Sequence, residues 1–247
     1  MLAEIPAEEF TTALDDVAAE LLQAAHAEGP PFDMFHLARC LGITMAWDDR
    51  QQVRGRYVRL TAAGAPSPTI LLRPDPRGER CQWAVAHEIG EHAAQRVFAL
   101  LAVDPRVVGP RGREEVANRL AGRLLLPSDC FQRDATSCGW DLAALKKKYA
   151  TASHELIARR MLEQNPPVII TIFDHARVSF RQSNVPGRVP PLAAVESDCW
   201  RVVHEANRPD SARRQSLAVQ GWPVHEPGWK REILRTEVEQ ELLREVA

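Results

Sequence analysis

The sequence predicts an α+β fold in which a helical core with a small mixed β-sheet is followed by a helix pair and a small C-terminal α/β appendage. Three observations carry that expectation. Apolar residues recur at helical spacing over several long stretches, short strand-like runs punctuated by Gly and Pro cluster ahead of the most apolar of these helices, and a hairpin pattern follows residue 165. With 247 residues and 45% hydrophobic content, the chain can bury a core without covalent staples, and its length suits a domain over 1–165 with an extension over 166–247.

From about Glu8 to Ala27, Phe10, Leu14, Val17 and Leu21 share one helical face, and Gly29-Pro30-Pro31 stops the run. Asp33 is placed to cap a short helix over Met34–Leu41 that closes on Gly42, ahead of a strand-like Ile43–Trp47. Gly55–Leu60 and Thr69–Leu72 read as two further strands around a loop at Ala63–Pro68. The central helix runs from about Glu79 to Leu101, with Trp83, Ala86, Ile89, Ala93 and Val97 as its buried face. After the Pro- and Gly-rich Asp104–Gly112, another helix covers Arg113–Leu126 and ends at Pro127. Asp141–Ala150 and Ser153–Gln164 then pair as helices, and Val168–Phe173 and Arg177–Phe180 form a hairpin around Asp174-His175-Ala176. Gln182–Pro191 reads as a linker. A short helix near Glu196–Ala206, a strand near Leu217–Val224 and a charged helix from about Trp229 complete the chain.

Charge and cysteine usage exclude several function classes. Lys and Arg number 31 against 33 Asp and Glu, a net of -2, so no global field draws the chain onto nucleic acid or anionic lipid, and contact with DNA would need a local patch. Cys40, Cys81, Cys130, Cys138 and Cys199 are scattered and never spaced as C-x-x-C, which argues against a disulfide framework and a thiolate zinc site and for a reducing compartment. The first residues, Met1–Glu9, are acidic and lead into no long apolar run, so neither a signal peptide nor a membrane span is expected, and the cytoplasm is the expected location.

The sharpest chemical signal is His87-Glu88-Ile89-Gly90-Glu91-His92 within the central helix, because adjacent His and Glu is how zinc peptidases set a ligand beside a general base. The spacing departs from H-E-x-x-H: the second histidine comes five residues after the first, and Glu91 stands at the fourth. At about 100° per residue, Glu91 lies about 40° from His87 around the helix and His92 about 140° away. His87 and Glu91 are therefore the expected first two metal ligands, with Glu88 as the catalytic base that polarises water. His92 is the alternative to Glu91 if a π-bulge between Gly90 and His92 brings it round. The third ligand is expected from Glu114-Glu115-Val116-Ala117-Asn118 on the next helix, where Glu114 and Asn118 share a face. Glu114 would complete an open three-ligand site, and Asn118 would orient a ligand by hydrogen bonding. An isolated His-Glu pair is more often an ordinary salt-bridging pair, and the second acidic helix is what sets this one apart.

These residues resemble the ImmA/IrrE family of metallopeptidases, whose pattern is an Ala-His-Glu helix, then E-x-x-A-N, then L-L-x-P. The chain offers Ala86-His87-Glu88-Ile89-Gly90, Glu114-Glu115-Val116-Ala117-Asn118 and Leu124-Leu125-Leu126-Pro127 in that order. Pro31–Ile43 is also similar to the family's leading segment, so the likeness spans about residues 10–165. The resemblance implies a zincin-like core and a metal-dependent endopeptidase, with two histidines and the downstream glutamate as zinc ligands and the glutamate after the first histidine as base. His87, Glu88 and Glu114 match those positions directly, and Glu91 occupies the place of the second histidine. Zinc is the implied ion, and a His-Glu-Glu set, harder than His-His-Glu, shifts preference toward manganese or iron. The family's general role implies a protein substrate such as a helix-turn-helix transcriptional repressor. The alternative is a catalytically inactive zincin-like regulator that keeps the fold as a protein- or DNA-binding module.

Asp141–Tyr149 and Ser153–Arg160 also pattern as a helix-turn-helix whose basic residues would meet phosphate, although a helical hairpin packed on the core is the preferred reading. Trp222 and Trp229 frame a Pro/Gly turn and are expected to plug a domain face more than to grip a partner. His175 and His204 stand isolated in sequence and read as structural or solvated.

Overall fold

The chain is represented by a computed structural model that describes residues 4–62, 65–163 and 166–238. Its residues group into two units, one of 1–134 with 147–153 and the other of 135–146 with 154–247. Residues 135–146 and 154–163, within the first segment of the sequence division, group with the C-terminal sheet. Among the described residues there are eight α-helices and two sheets, an α+β fold.

In the first unit, the amphipathic run at the start becomes α1 (Ala7–Ala24), which buries Phe10, Leu14, Val17 and Leu21 as its spacing requires. The Asp33 carboxylate accepts the Phe35 N–H at 2.9 Å and starts α2 (Met34–Cys40). Strands β1 (Thr44–Trp47), β2 (Gly55–Ala62) and β3 (Ala65–Leu72) form a mixed sheet of order β1-β3-β2, parallel between β1 and β3 and antiparallel between β3 and β2. Strand β3 begins at Ala65, inside the segment expected to be a loop, of which residues 63 and 64 lie outside the described residues. Pro66 and Pro68 are tolerated there because β1 pairs only with residues 69–72, leaving β3 one neighbour along its proline stretch.

Helix α3 (Gly78–Leu100) is the spine of this unit and buries Ala86, Ile89, Ala93 and Val97, with Trp83 only half-buried. It lies against α4 (Pro110–Leu125), which starts on a proline at its first position and buries Val116, Ala117, Leu120, Ala121 and Leu124. Arg123 of α4 is buried and pairs with Asp15 of α1 at 2.9 Å. Helix α5 (Ser128–Ser137) follows Pro127 and was not expected from the sequence.

The second unit contains α7 (His154–Arg160), preceded by α6 (Leu142–Lys148), whose last two residues group with the first unit. It continues through β4 (Val168–Asp174), β5 (Arg177–Ser183), α8 (Ala194–Ala206), β6 (Asp210–Arg214), β7 (Leu217–Pro223) and β8 (Arg231–Val238). The sheet is antiparallel throughout, in the order β5-β4-β8-β7-β6. Val195, Cys199 and Val203 of α8 pack on Phe173, Val219 and Leu234 of the sheet. Burial, with a smaller contribution from Asp210, pushes the Cys199 thiol up to about 12, as befits a packing residue.

Two expectations for this unit are corrected. Of the charged segment after Trp229, residues 231–238 are the central strand β8, hydrogen-bonded to β4 on one side and β7 on the other, and residues 239–247 lie outside the described residues. Its charges suggested a solvated helix, yet Glu232 and Arg235 are buried and paired within the unit. The stretch 182–191 is not an interdomain linker: β5 runs to Ser183, and Arg181 donates to the carbonyls of Pro190 and Pro191 at 3.1 and 3.4 Å.

Candidate metal centre

The i, i+4 spacing on α3 sets His87 and Glu91 on one face, and the packing of α4 brings Glu114 to the same place. His87 Nε2 lies 3.9 Å from Glu91 Oε1 and 3.7 Å from Glu114 Oε2. One ligand atom from each of these residues falls within 4.8 Å of the other two, so the group has the donors and spacing to hold a metal ion. The histidine is the shielded member and the two carboxylates are exposed, so the group opens to solvent on its acidic side.

Asn118, one turn beyond Glu114, links the two helices. His87 Nδ1–H donates to Asn118 Oδ1 at 3.1 Å, which places the imidazole lone pair on Nε2, the atom facing both carboxylates. The Asn118 amide in turn donates to Glu114 Oε1 at 3.0 Å, leaving Oε2 toward His87. One amide thus orients two of the three donors.

Glu88 points to the sheet side. Its Oε2 accepts the Tyr57 backbone N–H of β2 at 2.6 Å, and the residue is only 5% exposed. Burial holds its carboxyl above the ordinary carboxylate range, His87 and the Tyr57 N–H act against that shift, and the negative charges of Glu91 and Glu114 add to it.

His92 is not part of this group. Helix α3 is regular throughout, with no π-bulge, and His92 Nδ1 sits 2.9 Å from the Tyr57 hydroxyl with the rings 5.3 Å apart. Burial first, then Arg96 and Arg59, hold its pKa below the ordinary histidine value. Of the alternatives at the second position, it is Glu91 that stands with His87 and Glu114.

The basic residues of α7 are engaged inside their own unit. Arg159 pairs with Glu155 at 2.7 Å and lies 4.1 Å from the Phe180 ring centre, while Arg160 is buried and pairs with Glu163. Trp222 is buried, and the exposed Trp229 packs edge-on against His175 at 4.5 Å. A second group went unrecognised in the sequence: His204, His225 and Glu232 also bring ligand atoms within 4.8 Å of one another. They come from a helix, a turn and a strand, and no spacing rule links them.

No family model matches the chain, and no curated protein matches it. No helix among the described residues is long and apolar enough to cross a membrane. A solved structure described as a Mycobacterium tuberculosis transcriptional regulator is similar, at 17% identity and a TM-score of 0.64 over 94% of this chain and 81% of that one. At that identity the likeness shows the fold, an α+β arrangement shared over nearly the whole chain.

Proposed function

We propose that this protein is a regulator that works through a metal-dependent endopeptidase centre, with His87, Glu91 and Glu114 holding a divalent ion and a regulatory protein such as a helix-turn-helix repressor as substrate. The observation that carries this reading is the convergence of one imidazole nitrogen and two carboxylates beside the buried Glu88. The donor chemistry fits: ligands at about 2.1 Å from a tetrahedral ion stand about 3.4 Å apart. The observed 3.7 and 3.9 Å need only a small contraction. Zinc suits the site, and two carboxylates with one imidazole also suit Mn2+ or Fe2+.

A divalent ion held there supplies Lewis acidity toward a carbonyl oxygen and toward water. Glu88 is the proton acceptor in this reading, because a carboxyl raised by burial accepts a proton more readily near neutral pH than an ordinary one. Asn118 keeps His87 in the tautomer that presents Nε2. The resemblance of the three ordered motifs to the ImmA/IrrE metallopeptidases supports the roles of His87, Glu88 and Glu114 and the class of substrate.

A second reading keeps the fold and the regulatory role without hydrolysis, as a protein- or DNA-binding module. The description of the structural neighbour as a transcriptional regulator, and Glu91 at the place of a second histidine, favour it. Elemental analysis of protein purified without chelator tests the metal. The proposal expects one ion per chain fewer in His87→Ala, Glu91→Ala and Glu114→Ala than in wild type or His92→Ala. Equal metal content in all five proteins rejects the site, and a site that binds metal with no cleavage of co-expressed repressors leaves the second reading.

A further inference from the structure

We propose that His204, His225 and Glu232 form a second metal site, in the C-terminal unit, that takes a divalent transition-metal ion of the zinc class. Glu232 belongs to β8, the middle strand of the five-stranded sheet, and its side chain is fully buried. His204 Nδ1 from α8 and His225 Nε2 from the β7–β8 connection both approach Glu232 Oε1, at 2.9 and 2.6 Å. No Lys or Arg among the described residues pairs with Glu232, and the two imidazoles are the nitrogen groups that approach its Oε1.

The surroundings orient these donors. Trp200 Nε1–H donates to Glu232 Oε2 at 3.2 Å, which leaves Oε1 for the histidines. The Trp200 ring stacks on His204 at 5.2 Å and on Phe173 at 5.2 Å, fixing the plane of the His204 imidazole. The imidazoles retain some solvent access, at 25% and 12% side-chain exposure, which provides an entry path.

Two neutral imidazoles and one carboxylate are the donors of a three-ligand zinc site with an open fourth position. A bound ion requires ligand separations of about 3.4 Å, so the two nitrogens must each move several tenths of an ångström from the carboxylate. His225 lies outside β7 and β8 but between Val224 and Glu226, whose amides bond to the Arg231 and Trp229 carbonyls, so its share of that movement falls to rotation of its side chain. The ion would join α8, the β7–β8 connection and β8.

The test uses the full chain with the first candidate centre disabled by His87→Ala and Glu114→Ala, so it does not depend on the proposed function. Zn2+ is titrated in competition with a chromophoric chelator, and Co2+ absorption in the visible reports imidazole coordination. The expected result is one Zn2+ per chain, with affinity at least about tenfold weaker after His204→Gln or His225→Gln, and a melting temperature that rises with Zn2+ only while both histidines are present. A folded double variant, verified by circular dichroism, that takes up no Zn2+ would overturn the proposal, as would undiminished uptake after His225→Gln.

Discussion

A Cβ on Gly90 of α3 would stand 2.6 Å from the carbonyl oxygen of Ala117 on α4, and 3.1 Å from its Cα. This backbone-to-backbone approach is what lets α4 carry Glu114 and Asn118 up to His87. Gly90→Ala must therefore push two helices apart, since no side chain can yield. The expected cost is roughly 2–3 kcal/mol, read as a lower urea midpoint, together with weaker metal uptake at the first centre. An unchanged midpoint would contradict the contact.

Removing the shared amide should loosen the first centre without unfolding the chain. Asn118→Ala deletes the acceptor of His87 Nδ1–H and the donor to Glu114. A 10- to 100-fold fall in affinity, in the range of roughly one to two orders of magnitude seen for partners that orient ligands, is expected in Zn2+ competition. Full affinity would mean that His87 needs no such partner.

Glu88→Gln separates chemistry from binding. The neutral amide can still accept the Tyr57 N–H but cannot take a proton, so metal content should be retained and cleavage lost by roughly 10²-fold or more. Loss of metal together with activity would show that Glu88 holds the site together instead.

Acid stability should depend on Asp134. Burial alone would raise its carboxyl, but hydrogen bonds from Lys148 at 2.7 Å and from the Tyr149 hydroxyl at 2.8 Å outweigh that and leave it below the ordinary Asp value. A carboxyl depressed in the native state contributes stability that is present above its unfolded pKa and is lost as pH falls through the native one. Asp134→Asn should cost about 1 kcal/mol at pH 7, mostly by weakening the charge-assisted Tyr149 bond to a neutral one, because Lys148 is half-exposed. The difference from wild type should shrink as pH falls below about 4, where the unfolded aspartate protonates. A difference that stays constant from pH 7 to pH 3 would remove Asp134 from the acid transition.

What the sequence determined by itself was local. Periodic apolar residues fixed the main helices of the first unit, Asp33 announced a cap that forms at Phe35, and the i, i+4 rule placed Glu91 with His87 and turned His92 away. Each follows from the geometry of one stretch of backbone. Only the tertiary structure decided what depends on distant partners. Residues 231–238 read as a charged helix because Glu and Arg favour helices when solvated, but two flanking strands supply their hydrogen bonds, and partners elsewhere in the unit neutralise Glu232 and Arg235. The Asn118 bridge requires α3 and α4 to meet at Gly90, and the grouping of His204, His225 and Glu232 requires a sheet register. The free energy that sets these features resides in contacts between segments, and no period or spacing within a single segment encodes it.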